Sequence, residues 1–266
     1  MTIKLRQADK GDIPTLKKLW QICFGDRMRY IDVFFEKMFV AENTVVAVAD
    51  GKVAGVVYVL ERNLCGKKLM YGYAIGVFPE YRGNNICEKM LDFIRKKAEA
   101  EGRIFCLHPA NGKLAEFYQR IGLKEMYSLK EVDASEYNSD KVYEFENITA
   151  EEFYNLRKEA FENSVEWDMN ALKYIIENGE EVKTITLQDK KRYFVLRKEG
   201  NTVFVKETSA TDDEIKEVSG YIKACFRAEE IKYLLSSKSA LQGAVKPMAY
   251  GFSDKNDDVY MNLFLD

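Results

Sequence analysis

Residues 80–91 read EYRGNNICEKML, set between an apolar stretch with strand character and an amphipathic one with helix character. A strand that ends in a tight turn and opens a helix directs several unpaired backbone N–H groups at one spot. The helix dipole adds partial positive charge there, so a phosphate is held without many cationic side chains. Asn85 and Cys87 stand where such a loop normally carries small glycines. Glycine tolerates positive φ and lets a ligand approach closely. Asn is the next most tolerant residue for left-handed backbone, and Cys is still small. The plainer alternative is an ordinary turn at a helix start. Two further side chains could do chemistry. His108, the only histidine in the chain, can accept a proton near neutral pH. Cys87, at a helix N-terminus, would either have a lowered thiol pKa or simply pack.

The elements that must position these groups are legible from periodicity. Residues 2–7 alternate as an opening strand. Asp12 gives a cap signal for a helix with Ile13, Leu16, Leu19, Trp20 and Cys23 at helical spacing. A second helix is expected over 30–39. Residues 44–60 form the clearest hairpin, with Asp50-Gly51 suited to the positive φ angles of a tight turn. The strand over 68–77 alternates Tyr71, Tyr73 and Ile75 on one face, with no carboxylate there. A helix over 86–101 follows, with Met90, Leu91, Ile94 and Ala98 on one face and Gly102 as its stop. A buried strand over 103–107, a helix over 113–121 and a closing strand over 123–132 complete a β-α-α-β-β-β-α-β-α-β order.

Residues 133–144 are polar and turn-rich, which predicts a boundary between domains at 1–134 and 142–266. The second stretch repeats the order more faintly. Helices are expected over 149–160 and 168–178, strands over 182–187, 192–197 and 202–208, and a helix from Thr211 with Glu214 in capping-box spacing. An apparent strand, VYMNLFLD, ends at Asp266.

Composition sets the context. The 266 residues are 47% hydrophobic and 31% charged, ordinary for a globular protein able to bury a real core. A net charge of −3 gives no general reason to expect a nucleic-acid partner. Five cysteines without a CxxC pair fit a reduced cytoplasmic protein and suggest no metal site. Residues 1–16 lack the apolar core of a signal peptide and no run approaches a membrane span.

Residues 77–91, VFPEYRGNNICEKML, and 109–123, PANGKLAEFYQRIGL, resemble the GCN5-related N-acetyltransferase (GNAT) family. The family's acyl-CoA loop pattern, Arg or Gln, two variable residues, Gly, a variable residue, then Gly or Ala, falls on residues 82–87. Its late Asn and Phe-Tyr motif falls on Asn111, Phe117 and Tyr118. The resemblance covers residues 3–131 and implies a mixed α/β fold, an α+β GNAT acyl-CoA N-acyltransferase domain followed by a degenerate GNAT-like one. It implies acetyl-CoA as acyl donor, its pyrophosphate on the amides of Asn84, Asn85, Ile86 and Cys87. Val77 leads into the loop, and Arg82 and Gly83 shape the turn. Asn111 would hydrogen-bond the pantetheine arm or cap the next helix. Tyr118 would protonate the leaving thiolate or pack as a core aromatic.

The reaction implied is transfer of an acetyl group to a primary amine by direct attack, on a small-molecule or peptide acceptor. The base is open. Glu61 is at a strand end and reads as solvated; His108 borders the site. In some tandem relatives the terminal carboxylate enters the cleft, which here is Asp266. The acidic start of the helix at 211–214 would repel a phosphate, so the second domain is expected to shape the acceptor cleft rather than catalyse. Two other functions fit the same motifs: a tRNA-dependent aminoacyl transferase, against which the net charge argues, and a non-catalytic CoA-responsive binding module.

Overall fold

The computed structural model describes residues 1–178, 180–254, 260 and 262. In chain order the elements begin with β1 (Ile3–Gln7), α1 (Ile13–Phe24), α2 (Met28–Lys37), β2 (Val45–Ala49) and β3 (Lys52–Leu64). There follow β4 (Lys67–Val77), α3 (Ile86–Ala100), β5 (Ile104–Leu107), α4 (Gly112–Arg120) and β6 (Lys124–Asp133). The second half holds β7 (Glu146–Asn147), α5 (Ala150–Ala160), β8 (Val165–Glu166), α6 (Met169–Glu177) and β9 (Glu181–Leu187). It closes with β10 (Lys190–Glu199), β11 (Thr202–Thr208), α7 (Asp212–Cys225), β12 (Glu230–Ser236) and β13 (Ala244–Gly251). The β-α-α-β-β-β-α-β-α-β order expected for residues up to 132 is the observed one.

Compact packing divides the chain differently from the contiguous stretches 1–134 and 142–266. One unit is Met1–Met126 with a return segment beginning at Ala249, and the other is Tyr127–Met248 with Tyr260 and Asn262. The strand that the sequence reads as closing the first domain instead pairs, over Leu129–Asp133, with β12 of the second unit. Tyr250 and Gly251 pair with Leu107 and Cys106 of β5 in the first. Alternating apolar patterns fix which face of a strand is buried but not which neighbour it pairs with, so this exchange leaves no mark in the sequence.

In the first unit the sheet runs β1-β2-β3-β4-β5-β13, antiparallel except for the parallel β4–β5 pair. The β2–β3 turn takes φ of +47° at Asp50 and +84° at Gly51, as their types predict. On one face α1 and α2 bury an aromatic cluster: the Trp20 ring centre lies 4.6 Å from that of Phe34, 5.3 Å from Tyr58 and 5.8 Å from Tyr73. On the other, Ile86, Met90, Leu91, Ile94 and Ala98 of α3 pack on Val57, Val59 and Met70. Asp12 does not cap α1 with its side chain. It accepts from the Asp9 amide at 2.9 Å and from both Arg6 guanidinium nitrogens at 2.6 and 2.8 Å, tying β1 to the start of the helix.

The second unit repeats this layout as β6-β12-β11-β10-β9-β7, again with one parallel pair, β11–β12, joined through a helix, α7. Its α7 face buries Ile215, Val218 and Ile222 against Phe194, Leu196, Val203 and Val205. Toward α5, Glu207 is fully buried, accepting from Arg157 Nε at 2.9 Å and from the Tyr193 hydroxyl at 2.7 Å. Among the described residues no helix is long and apolar enough to cross a membrane.

Candidate active site

A break in the β3–β4 ladder builds the first part of the site. Val56 pairs with Gly76 but Tyr58 pairs with Tyr73, so β4 carries one extra residue, and Ala74 takes φ +44°. A bulge re-aims the side chains beyond it. Tyr73 therefore faces Trp20, and Gly76 lies beneath Leu19 and Cys23, whereas Ile75 and Val77 turn to the α3 core. Strict alternation had put Ile75 beside Tyr71 and Tyr73; the bulge is the reason it is not there.

The bulge coincides with a parting of strands. β4 and β5 pair from Leu69–Ile104 as far as Gly72–Leu107, and β4 then runs on to Val77 without β5 beside it. Beyond the end of β5 that edge of β4 is left without β5 as a partner, a slot that leads to the loop at residues 79–85. There Pro79–Tyr81 make one 3-10 turn, Gly83 takes φ +80°, and Asn85 takes φ +56°, ψ +30° as the residue before α3. Asn85 thus supplies the left-handed conformation that a glycine would otherwise provide. Arg82 folds back, its Nε donating to the Val77 carbonyl at 3.1 Å, and Asn84 Nδ2 donates to the Tyr81 carbonyl at 3.0 Å. The Cys23 thiol, from the end of α1, also donates to the Val77 carbonyl at 3.5 Å.

No side chain caps α3. Among the described residues the amides from 83 to 88 donate to no carbonyl outside their helix, and the first such bond there is Lys89 N–H to the Asn85 carbonyl. All of residues 83–88 except Asn84 line a cleft of about 190 Å³, together with Val77, Tyr81 and Phe117. This arrangement can hold an anion through backbone donors and the helix dipole. Glu88, in the first turn, brings one carboxylate to the same rim. Burial pushes the Cys87 thiol up to about 12, with Glu88 adding to the effect, so the helix start does not activate it and it packs.

Tyr118 is the buried residue of α4, its ring edge-on to Phe117 at 5.4 Å. Burial first, and the neighbouring Cys87 second, raise its phenol and keep it protonated. Asn111 caps α4, its Oδ1 accepting from the Leu114 amide at 3.0 Å. His108 follows β5 directly and is half-buried. Glu61 is not simply solvated: it is ion-paired with Arg103. Asp266 lies outside the described residues. The structure thus brings Val77, Arg82, Gly83, Asn85, Ile86 and Cys87 around one cleft; Asn84 and Tyr118 are not in its lining, and Tyr118 lies behind the lining residues Cys87 and Phe117. Tyr81, in the lead-in to the loop, lines the cleft, as does Glu88, which the motif does not single out although it stands in the quoted stretch. Cys23 had no such signal, because 54 residues separate it from Val77.

In the second unit the equivalent helix start is closed. Thr211 and Glu214 form a reciprocal capping box, with the Thr211 amide donating to Glu214 at 2.7 Å. Asp212 accepts from Ser239 Oγ at 2.8 Å and the Ala240 amide at 2.7 Å.

No curated protein matches the sequence. Among solved structures, a conserved protein of unknown function from Enterococcus faecalis aligns over 94% of this chain and 72% of its own, at 12% identity and TM-score 0.70. GCN5-related N-acetyltransferases from Anabaena variabilis (16% identity, 94% and 72% covered, TM-score 0.69) and Kribbella flavida (14%, 94% and 70%, 0.65) share the fold as well. Residues 4–126 match the family described as the acetyltransferase (GNAT) domain. That match spans the bulged strand, the uncapped helix start and Tyr118.

Proposed function

We propose that the protein is an N-acyltransferase that moves an acetyl group from acetyl-CoA to a primary amine of a small molecule or peptide. The observation that carries this is the set of unbonded amides from 83 to 88 at the mouth of the β4–β5 slot. Bound acetyl-CoA would set its pyrophosphate on those amides and run its pantetheine arm along the free edge of β4. The amine lone pair then adds to the thioester carbonyl carbon, the C–S bond breaks, and Tyr118 gives its proton to the departing sulfur. The ammonium proton goes to His108 or Asp266, in a cytoplasmic setting. The second unit is a degenerate GNAT-like domain with no cofactor site, because the capping box and Asp212 already occupy its helix start.

Calorimetric titration of acetyl-CoA against the full chain tests the reading, followed by thiol release with a panel of amines. One binding site and amine-dependent thiol release are expected. Absence of binding removes the reading, and binding without release under any amine reduces the protein to a CoA-responsive module. The pH profile of kcat/KM for His108→Gln, set beside that of a chain lacking Leu265 and Asp266, assigns the base.

A further inference from the structure

β5 is only four residues long, and its last residue, Leu107, stands at the apex of the slot. Its last two residues are gripped from both sides. Cys106 and Leu107 pair with Tyr71 and Gly72 of β4 on one edge, and with Gly251 and Tyr250 on the other. Gly251 sits so close that an added Cβ would come within 2.1 Å of the Phe105 carbonyl oxygen and 2.2 Å of Met126 Sδ. Phe252 stacks on Phe105 at 5.7 Å between ring centres, 26° apart, and the Arg95 guanidinium covers its ring at 5.8 Å. The Phe105 ring in turn lies against Gly72, where a Cβ would meet its Cζ at 3.0 Å. Gly72 is the last residue of β4 paired with β5. Two contacts therefore lead from Phe252 to the apex of the slot.

We propose that residues 250–252 are a positioning segment for acyl-CoA binding: they hold the end of β5, and with it the apex of the slot, in the place the acyl donor needs. The inference rests on the acyl-CoA reading of the cleft. The segment lies on the side of β5 away from β4, so it acts through β5 and Phe105 rather than by touching the donor. A four-residue strand paired on one edge only can fray from its end; paired on both, its end, where the chain leaves β4, is fixed. The first half of the sequence thus contains the groups that meet acetyl-CoA but not all those that place them.

The test compares two glycine substitutions in the full chain. Gly251→Ala forces a Cβ against the Phe105 carbonyl, whereas Gly243→Ala imposes a similar overlap, 2.3 Å from the Glu131 carbonyl oxygen, in the second unit. Acetyl-CoA affinity is measured by calorimetry and folding by amide hydrogen exchange. Gly251→Ala should weaken binding about tenfold or more while Gly243→Ala leaves it within about twofold. If Gly251→Ala does not fold, Phe252→Ala, which adds no atom and removes the stack on Phe105, carries the same comparison. Equal affinity in both variants, or equal loss in both, overturns the proposal. Failure of the unmodified chain to bind acetyl-CoA is a different result, and it overturns the reading of the cleft itself.

Discussion

Asn85 and Glu88 act on the same helix start in opposite ways. Asn85 adopts φ +56° and so keeps the loop's amides converging, while Glu88 sets a carboxylate beside the spot that the amides make positive. A negative charge in the first turn interacts favourably with the helix dipole, and for that reason it competes with a phosphate for the same field. Glu88→Gln should tighten acetyl-CoA binding about two- to fivefold at low ionic strength, with the gain shrinking as salt is raised. Titrations at low and high salt check this, and equal affinities at low salt would place Glu88 outside the phosphate's field. Tyr118 has a different part. Its raised phenol stays protonated through the neutral range, so it is available as a donor but not as a base. Tyr118→Phe keeps the ring's packing and removes only the proton. Unchanged acetyl-CoA affinity with kcat lower by about 10²-fold is the expected outcome, and unchanged turnover, with chemistry shown to limit the rate, would return Tyr118 to the core.

The first unit's elements, and the loop between β4 and α3, were legible because helical spacing, the Asp50-Gly51 turn and the Arg82–Cys87 pattern are local. What was not legible depends on non-local geometry. One extra residue at Ala74 moved Ile75 to the opposite face, and alternation cannot reveal a bulge that pairing creates. The start of α1 shows the same limit. Asp12 reads as a cap, but Arg6 of β1 lies within reach and takes its carboxylate. That bond, more than the Asp9 amide, holds the Asp12 carboxyl below its ordinary range against the opposing effect of burial. A depressed folded-state value means that the contribution is complete above the unfolded carboxyl's value, about 3.9, and is lost as pH falls through the folded one. Asp12→Asn should therefore lower stability at neutral pH and flatten its decline between about pH 5 and 2. Urea midpoints across that range check it; parallel declines in both chains would show that the Arg6 contact contributes nothing.

At the scale of the whole molecule, residues 127–248 of the second unit lie in sequence between the two parts of the first, and the first unit's sheet takes a strand from beyond them. A fragment of residues 1–134 therefore lacks Tyr250, Gly251 and Phe252 while carrying Leu129–Asp133, whose pairing partner β12 is missing. Coupled folding of the two halves is the expected consequence of this connectivity. The buried Glu207 offers a way to measure that coupling from a point with no part in the cleft. It accepts from Arg157 and Tyr193, and Arg157 also donates to the Val165 carbonyl at 2.6 Å. Removing one partner of such a pair strands the other's charge away from water, which costs about 3–5 kcal/mol, whereas replacing both with apolar groups of similar volume is often close to neutral. Glu207→Ala should lower the urea midpoint sharply, and the Arg157→Met, Glu207→Leu double variant should recover most of the loss. Because the first unit borrows its last strand, acetyl-CoA binding should vanish over the same urea range as the circular dichroism signal, in the variant as in the unmodified chain. Binding that outlasts the unfolding of the second unit would show that residues 250–252 stay docked on β5 without it, and that the halves fold independently.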